Sequence, residues 1–191
     1  MDIVLPYAIE ARAVTDARDK RRREFAAGRF YARQAMAALG VPPQPVAVLP
    51  SRAPAWPEGV VGSLAHTDAW CFAAVGRSDE FLGVGLDAEV AAPLSDEVAA
   101  LVCSADERRA LSADLIAWAF AAKEAFYKLY HPRVARFLEF SDVRVQIDVP
   151  RQRFQASLRP DLPAFEGCHV FPGRITTAGG LVLALMTWPA A

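Results

Sequence analysis

Residues 69–90, AWCFAAVGRSDEFLGVGLDAEV, hold two apolar runs separated by the polar stretch RSDE. Two such runs around a short polar break predict a β-hairpin, and a hairpin early in the chain argues for antiparallel sheet. Upstream, Phe25, Gly28, Ala32, Met36 and Leu39 recur at helical spacing between Asp16 and Leu39, and Gly40, Pro42 and Pro43 end the pattern, which predicts a long helix. The proline-rich run from Pro42 to Pro57 is broken only by VAVL at 46–49, read as a short strand between loops.

Downstream, Leu94 to Leu111 reads as one or two short helices. Asp114 to Tyr130 reads as a longer one, capped by Asp114, ending before Pro132 and burying Trp118, Ala122, Phe126 and Leu129. Val143, Val145 and Ile147 alternate with polar residues, as in a half-exposed strand, and Phe154 to Leu158, His169 to Ile175 and Leu181 to Trp188 read as further strands. Helix, strands, helices and strands follow one another without βαβ alternation, so the fold class expected is α+β with largely antiparallel sheets. Each half offers a long helix and about three strands, which suggests two similar subdomains, residues 1–92 and 93–191, acting as one functional unit with the active site between the halves.

The 191 residues are 53% hydrophobic with a formal net charge of −1, which suits a globular chain and gives no support for nucleic-acid or anionic-membrane binding. Any anion site must come from local clustering, as at Arg18 to Arg23. Cys71, Cys103 and Cys168 are odd in number and widely spaced, suiting reduced, buried thiols. The opening MDIVLPYAIEARAV has early acids and no long apolar core, so neither a signal peptide nor a membrane span is expected and a cytoplasmic location is.

Asp87 and Glu89 are separated by one residue on a predicted strand, so both carboxylates leave the same face. Two acids side by side raise one another's pKa unless a cation neutralises them, and hard oxygen ligands suit magnesium; the plain alternative is a solvated strand end. Glu124 lies in AFAAKEAFYKLY beside Lys123, with Lys128 at i+4. A helix-surface ion pair explains that spacing equally well, but a cation at Asp87 and Glu89 needs a third oxygen and its phosphate ligand needs cations nearby. His66, in VVGSLAHTDAW, is a histidine that could donate to a phosphate or serve only the fold. Arg22, Arg29 and Arg33 fall on one face of the first helix, as a phosphate rail or a solvated basic face.

Four blocks, REFAAGRFYARQAMAALG, PAWPEGVVGSLAHT, GVGLDAE and WAFAAKEAFYKLY, occur in that order. Together they resemble the phosphopantetheinyl transferase superfamily, of the surfactin and enterobactin-synthetase type. The resemblance implies a pseudo-dimeric fold and a single-chain monomer. It implies magnesium, or manganese in its place, held by Asp87, Glu89 and Glu124 and bridging the pyrophosphate of coenzyme A. Lys128 would then offset charge on the phosphate with help from Lys123, and His66 would contact the pyrophosphate. Arg23, Arg29 and Arg52 would take the 3′-phosphate and adenine region. A serine of an apo acyl or peptidyl carrier protein would accept the phosphopantetheine, with Glu124 taking its proton directly or through a water, and 3′,5′-adenosine bisphosphate would leave.

Glu107, in CSADERRAL, stands where relatives often place another functional acid; a helix-surface role explains it as well. The chain departs from the family at Ala65-His66-Thr67, where Ser-His-Ser is usual, at Ala88, where isoleucine is usual, and at Ala121, where serine is usual. Two other functions fit parts of the pattern: a magnesium-dependent phosphodiesterase, and a coenzyme A or carrier-protein binding module without catalysis.

Overall fold

In the computed structural model, which describes residues 5–190, the chain forms two compact units. One comprises residues 1–84 with 188–191 and the other residues 85–187, so the division falls at Gly85, ahead of the boundary at 92/93 expected from sequence. The first four residues, part of the opening read above, lie outside the described residues.

The first unit carries α1 (Ala8–Arg12), α2 (Asp19–Ala38), the short strands β1 (Ala47–Val48) and β2 (Pro54–Ala55), and the antiparallel pair β3 (Val60–His66) and β4 (Cys71–Arg77). Helix α2 buries Ala32 and Met36 against Val46 and Val60, and Trp56, Leu64 and Val75 close that core. Gly28 of α2 faces β3 and β4 at ordinary packing distance: a methyl there would meet Leu64 Cδ1 at 3.6 Å and Cys71 Sγ at 3.9 Å. A buried ion pair fixes α1: Glu10 is fully buried, receives Arg33 Nη1 on both oxygens at 2.9 Å and accepts the Val46 N–H at 2.9 Å. With both charges and the backbone donor satisfied, the desolvation cost of the pair is offset.

The second unit carries most of β5 (Phe81–Val90), then α3 (Asp96–Val102), α4 (Ala105–Ala110), α5 (Ala113–Val134), a 3-10 turn (Phe140–Asp142), and β6 (Val143–Asp148), β7 (Arg153–Leu158), β8 (Val170–Ala178) and β9 (Leu181–Pro189). These strands form a five-stranded sheet in the order β5-β9-β8-β7-β6, with β6 to β9 meandering antiparallel. Helix α5 packs against it, burying Ala122, Phe126, Leu129 and Tyr130. Phe126 stacks at a tilt on Phe171 of β8, 4.9 Å between centroids.

The expected hairpin within residues 69–90 is corrected. β4 pairs with β3, and β5 joins β9. The segment before β4 is itself a strand, β3, and a tight turn at Thr67–Trp70 folds the chain back: the Thr67 N–H donates to Trp70 O at 2.8 Å, and Thr67 Oγ1 accepts the Trp70 N–H at 3.1 Å. β5 is buried without alternation from Gly83 to Ala88, the burial expected of a strand covered on both faces. The long helix also differs at both ends. Ser112, not Asp114, is its N-cap, and it runs through Pro132 to end at left-handed Ala135, because a proline in the last turn removes only one backbone hydrogen bond. The three cysteines form no disulfide, and among the described residues no helix is long and apolar enough to cross a membrane.

Candidate active site

β5 and α5 meet at a glycine. A Cβ on Gly85 would stand 1.9 Å from the Ala125 carbonyl oxygen and 3.0 Å from Leu129 N, far inside van der Waals contact. Backbone therefore lies on backbone at this crossing, and the residues flanking it, Asp87 on the strand and Glu124 and Lys128 on the helix, are drawn together.

Lys128 Nζ donates to Asp87 Oδ1 at 2.6 Å and to the Leu86 carbonyl at 3.2 Å. Asp87 is 5% exposed, and its second oxygen, Oδ2, is buried without a hydrogen bond. An ionised oxygen without a partner in such a place is costly. Burial, the Asp87 charge and the Glu124 charge push Glu89 up to about 7, against the pull of Lys128. Burial and Asp87 likewise raise Glu124 above the ordinary glutamate range, again opposed by Lys128. Three carboxylates thus share a partly desolvated space with one nearby ammonium, so negative charge there is under-compensated. Among the described residues no three His, Cys, Asp or Glu side chains already stand as a closed metal ligand set. The orphaned Asp87 Oδ2 and the mutual repulsion of hard oxygen donors nonetheless fit a divalent cation such as magnesium.

Lys123 and Glu107 are placed differently from the sequence reading. Lys123 Nζ donates to Val102 O at 2.8 Å, Glu107 Oε2 at 3.0 Å and Phe140 O at 3.0 Å, using all three protons of its ammonium. Glu107 forms a capping box with Ser104 and accepts the Val145 N–H at 3.1 Å. Burial pushes its carboxyl up, but these backbone donors and Lys123 outweigh that and hold it below the usual range. Lys123 is 3% exposed, so its expected phosphate contact gives way to an internal one.

In the first unit His66 is exposed at the end of β3, in register with Cys71. Ala65 beside it is buried, and the Thr67 hydroxyl oxygen serves the turn. Lys20 reaches that turn, donating to Asp68 at 2.6 Å. Arg23 is exposed and lines a cavity of about 400 Å³ with Arg22, Thr15, Leu5, Ala11, Val14 and Ala26. Arg52 is exposed at a positive φ of 69° in the loop joining β1 to β2.

The expected arginine rail is not formed as one surface. Arg29 is buried; its Nε donates to Val46 O at 2.5 Å and its Nη2 to Ala47 O at 3.3 Å, and its guanidinium lies over the Phe25 ring. Desolvation lowers its pKa to about 10. Arg33 is held by Glu10. The spacing argument placed these residues on one face correctly but carried no information on the loop at Val46 that covers it.

Two family models cover the chain: the 4′-phosphopantetheinyl transferase N-terminal domain over residues 9–76, and the 4′-phosphopantetheinyl transferase superfamily over residues 83–177. The chain is 38% identical over 194 residues to 4′-phosphopantetheinyl transferase Svp of Streptomyces mobaraensis, covering 95% of this chain and 78% of the relative. This chain belongs to the 4′-phosphopantetheinyl transferase superfamily. It is also 38% identical over 150 residues to the transferase Npt of Nocardia iowensis, covering 75% of this chain and 67% of the relative. To PptT of Mycobacterium tuberculosis it is 34% identical over 190 residues, 93% of this chain and 84% of the relative. In this transferase the crossing at Gly85 lies inside the second family match, as do all of Asp87, Glu89, Glu107, Lys123, Glu124 and Lys128.

Proposed function

We propose that this transferase moves the 4′-phosphopantetheine group of coenzyme A onto a serine hydroxyl of an apo acyl or peptidyl carrier protein, releasing 3′,5′-adenosine bisphosphate, with a divalent cation at Asp87, Glu89 and Glu124. The observation that carries the metal part is the buried, unpartnered Asp87 Oδ2 facing a surplus of carboxylate charge around a single ammonium. Magnesium suits hard oxygen donors, and manganese would take the same ones.

Such a cation, when bound, withdraws charge from the phosphoryl oxygens of the pyrophosphate. Lys128, oriented by Asp87 and Leu86 O and 29% exposed along its side chain, offsets the charge that builds up as the phosphoryl group transfers. Glu124, whose proton affinity is raised by burial and Asp87, accepts the proton of the incoming serine. In this reading His66 and the exposed arginines Arg23 and Arg52 serve the pyrophosphate, the 3′-phosphate and the adenine region. Arg29 and Lys123 are left out of the substrate contacts, because their donors are used within the protein. We place the enzyme in the cytoplasm as a monomer.

The test is mass spectrometry of an apo carrier protein incubated with this protein, coenzyme A and magnesium. A gain of about 340 Da on the carrier, the mass of the group transferred in the phosphoryl step, is expected, and its loss with EDTA and in Glu124→Gln. Coenzyme A binding without any mass gain across carriers of several pathways would favour a binding module instead. Hydrolysis of phosphodiesters in place of transfer would favour a phosphodiesterase.

A further inference from the structure

We infer that Lys123 and Glu107 are a positioning pair that sets the backbone carrying Glu124, and are neither a phosphate ligand nor a proton acceptor. This rests on the function proposed above and extends it. Four separate pieces of chain converge on the Lys123 ammonium and its partner carboxylate: α3 through Val102 O, α4 through Glu107, the 3-10 turn through Phe140 O, and β6 through the Val145 N–H. Side-chain exposure is 2% for Lys123 and 4% for Glu107, so a substrate phosphate has no path to the ammonium. Each remaining polar atom of the pair is also occupied: Glu107 Oε2 takes the Ser104 N–H at 3.0 Å as well as Lys123.

Lys123 immediately precedes Glu124 on α5. The helix is therefore clamped on one side by this buried tripod while the next side chain enters the carboxylate cluster. A group held by fully satisfied buried hydrogen bonds keeps one rotamer, and catalysis by positioning loses rate steeply with displacements on the order of an ångström. Removing either member leaves the other buried without its partner, which is the costly case; removing both charges together is the cheaper one. A pair that acts as a unit therefore has effects on rate that do not multiply.

The test is a double-mutant cycle of Lys123→Met and Glu107→Gln, read in three ways: kcat and KM for coenzyme A, Mn2+ affinity by the electron paramagnetic resonance of the free ion, and thermal unfolding. Lys123→Met is expected to lower kcat by about 10- to 100-fold and to weaken Mn2+ binding, while KM for coenzyme A stays within about twofold. The double variant is expected to be no slower than Lys123→Met. A KM for coenzyme A that rises by about tenfold or more with Mn2+ affinity unchanged, or a double variant whose loss equals the product of the single losses, overturns the inference. Should Lys123→Met alone not fold, Glu107→Gln and the double variant supply the same comparison, and a double variant slower than Glu107→Gln by a further 10-fold or so overturns it. Absence of transfer by the unmodified protein would instead count against the proposed function, and Mn2+ binding and unfolding would still decide the positioning role.

Discussion

Gly85 and Ala125 touch backbone to backbone: a methyl on the glycine would sit 1.9 Å from the Ala125 carbonyl oxygen. No rotamer relieves such a clash, because the obstructing atom is main chain. Gly85→Ala is therefore expected to destabilise the protein by about 3 kcal/mol or more, with loss of transfer activity, measured by urea denaturation and carrier loading. Gly28 is the contrast. Its methyl would meet only ordinary contacts and would raise helix propensity within α2, so Gly28→Ala is expected to be neutral or to stabilise by up to about 1 kcal/mol. Equal losses at both positions would contradict the account of the crossing.

The carboxylate cluster makes stability depend on pH in a definite direction. Glu89 titrates at about 7 in the fold, through burial and then repulsion from Asp87, against an ordinary 4.5. Between those values the folded chain holds more protons than the unfolded one, so stability falls as pH rises through the window and the penalty is complete above it. The metal-free protein is expected to melt at falling temperature between about pH 5 and pH 7.5. Saturating magnesium should remove most of that slope, as should Glu89→Gln. Glu107 acts in the opposite direction: burial is outweighed by its donors, its pKa lies below 4.5, and its stabilisation is lost only as pH falls below that value. A flat metal-free profile across the upper window would remove the electrostatic basis for the cation site.

Much of this was legible in sequence. Period-two geometry put Asp87 and Glu89 on one strand face, and the apolar stripe of α5 placed Phe126 and Leu129 in the core. The strand pairing of residues 69–90 was not legible, since a polar break after β4 reads like a hairpin turn whichever sheet takes the next strand. What distinguishes β5 is its unalternating burial and its glycine against Ala125, and both depend on a helix about 40 residues away. Lys123 was misread for a related reason. Its three acceptors come from Val102, Glu107 and Phe140, two of them carbonyls that no side-chain pattern announces.

Lys128 links the strand to the helix by donating to Asp87 Oδ1 and Leu86 O. If it offsets charge in the transition state, Lys128→Met should lower kcat by about 10²- to 10³-fold with little change in KM for coenzyme A. Lys128→Arg should recover only part of the rate, because a planar fork cannot reproduce one ammonium between those two oxygens. Steady-state kinetics with a purified apo carrier decides this, and a large rise in KM at constant kcat would assign Lys128 to ground-state binding.

Arg23 and Arg29 lie on the same helix, and the structure separates their roles. Arg29 is 4% exposed and ties Val46 O and Ala47 O to α2, beside the Val46 N–H that Glu10 accepts. Replacing it leaves buried carbonyls without donors, so Arg29→Met is expected to cost about 2 to 3 kcal/mol of stability. Coenzyme A affinity should fall only as far as the folded fraction does. Arg23 is exposed, lines a cavity and carries no comparable internal bond among those described. Arg23→Ala is therefore expected to leave the melting temperature within about a degree or two, as surface substitutions do. It should weaken 3′,5′-adenosine bisphosphate about tenfold, the loss of one charge-assisted phosphate contact. Calorimetric titration of that nucleotide, beside denaturant unfolding of both variants, separates the two roles, and a nucleotide affinity unchanged in Arg23→Ala would remove Arg23 from the coenzyme A contacts.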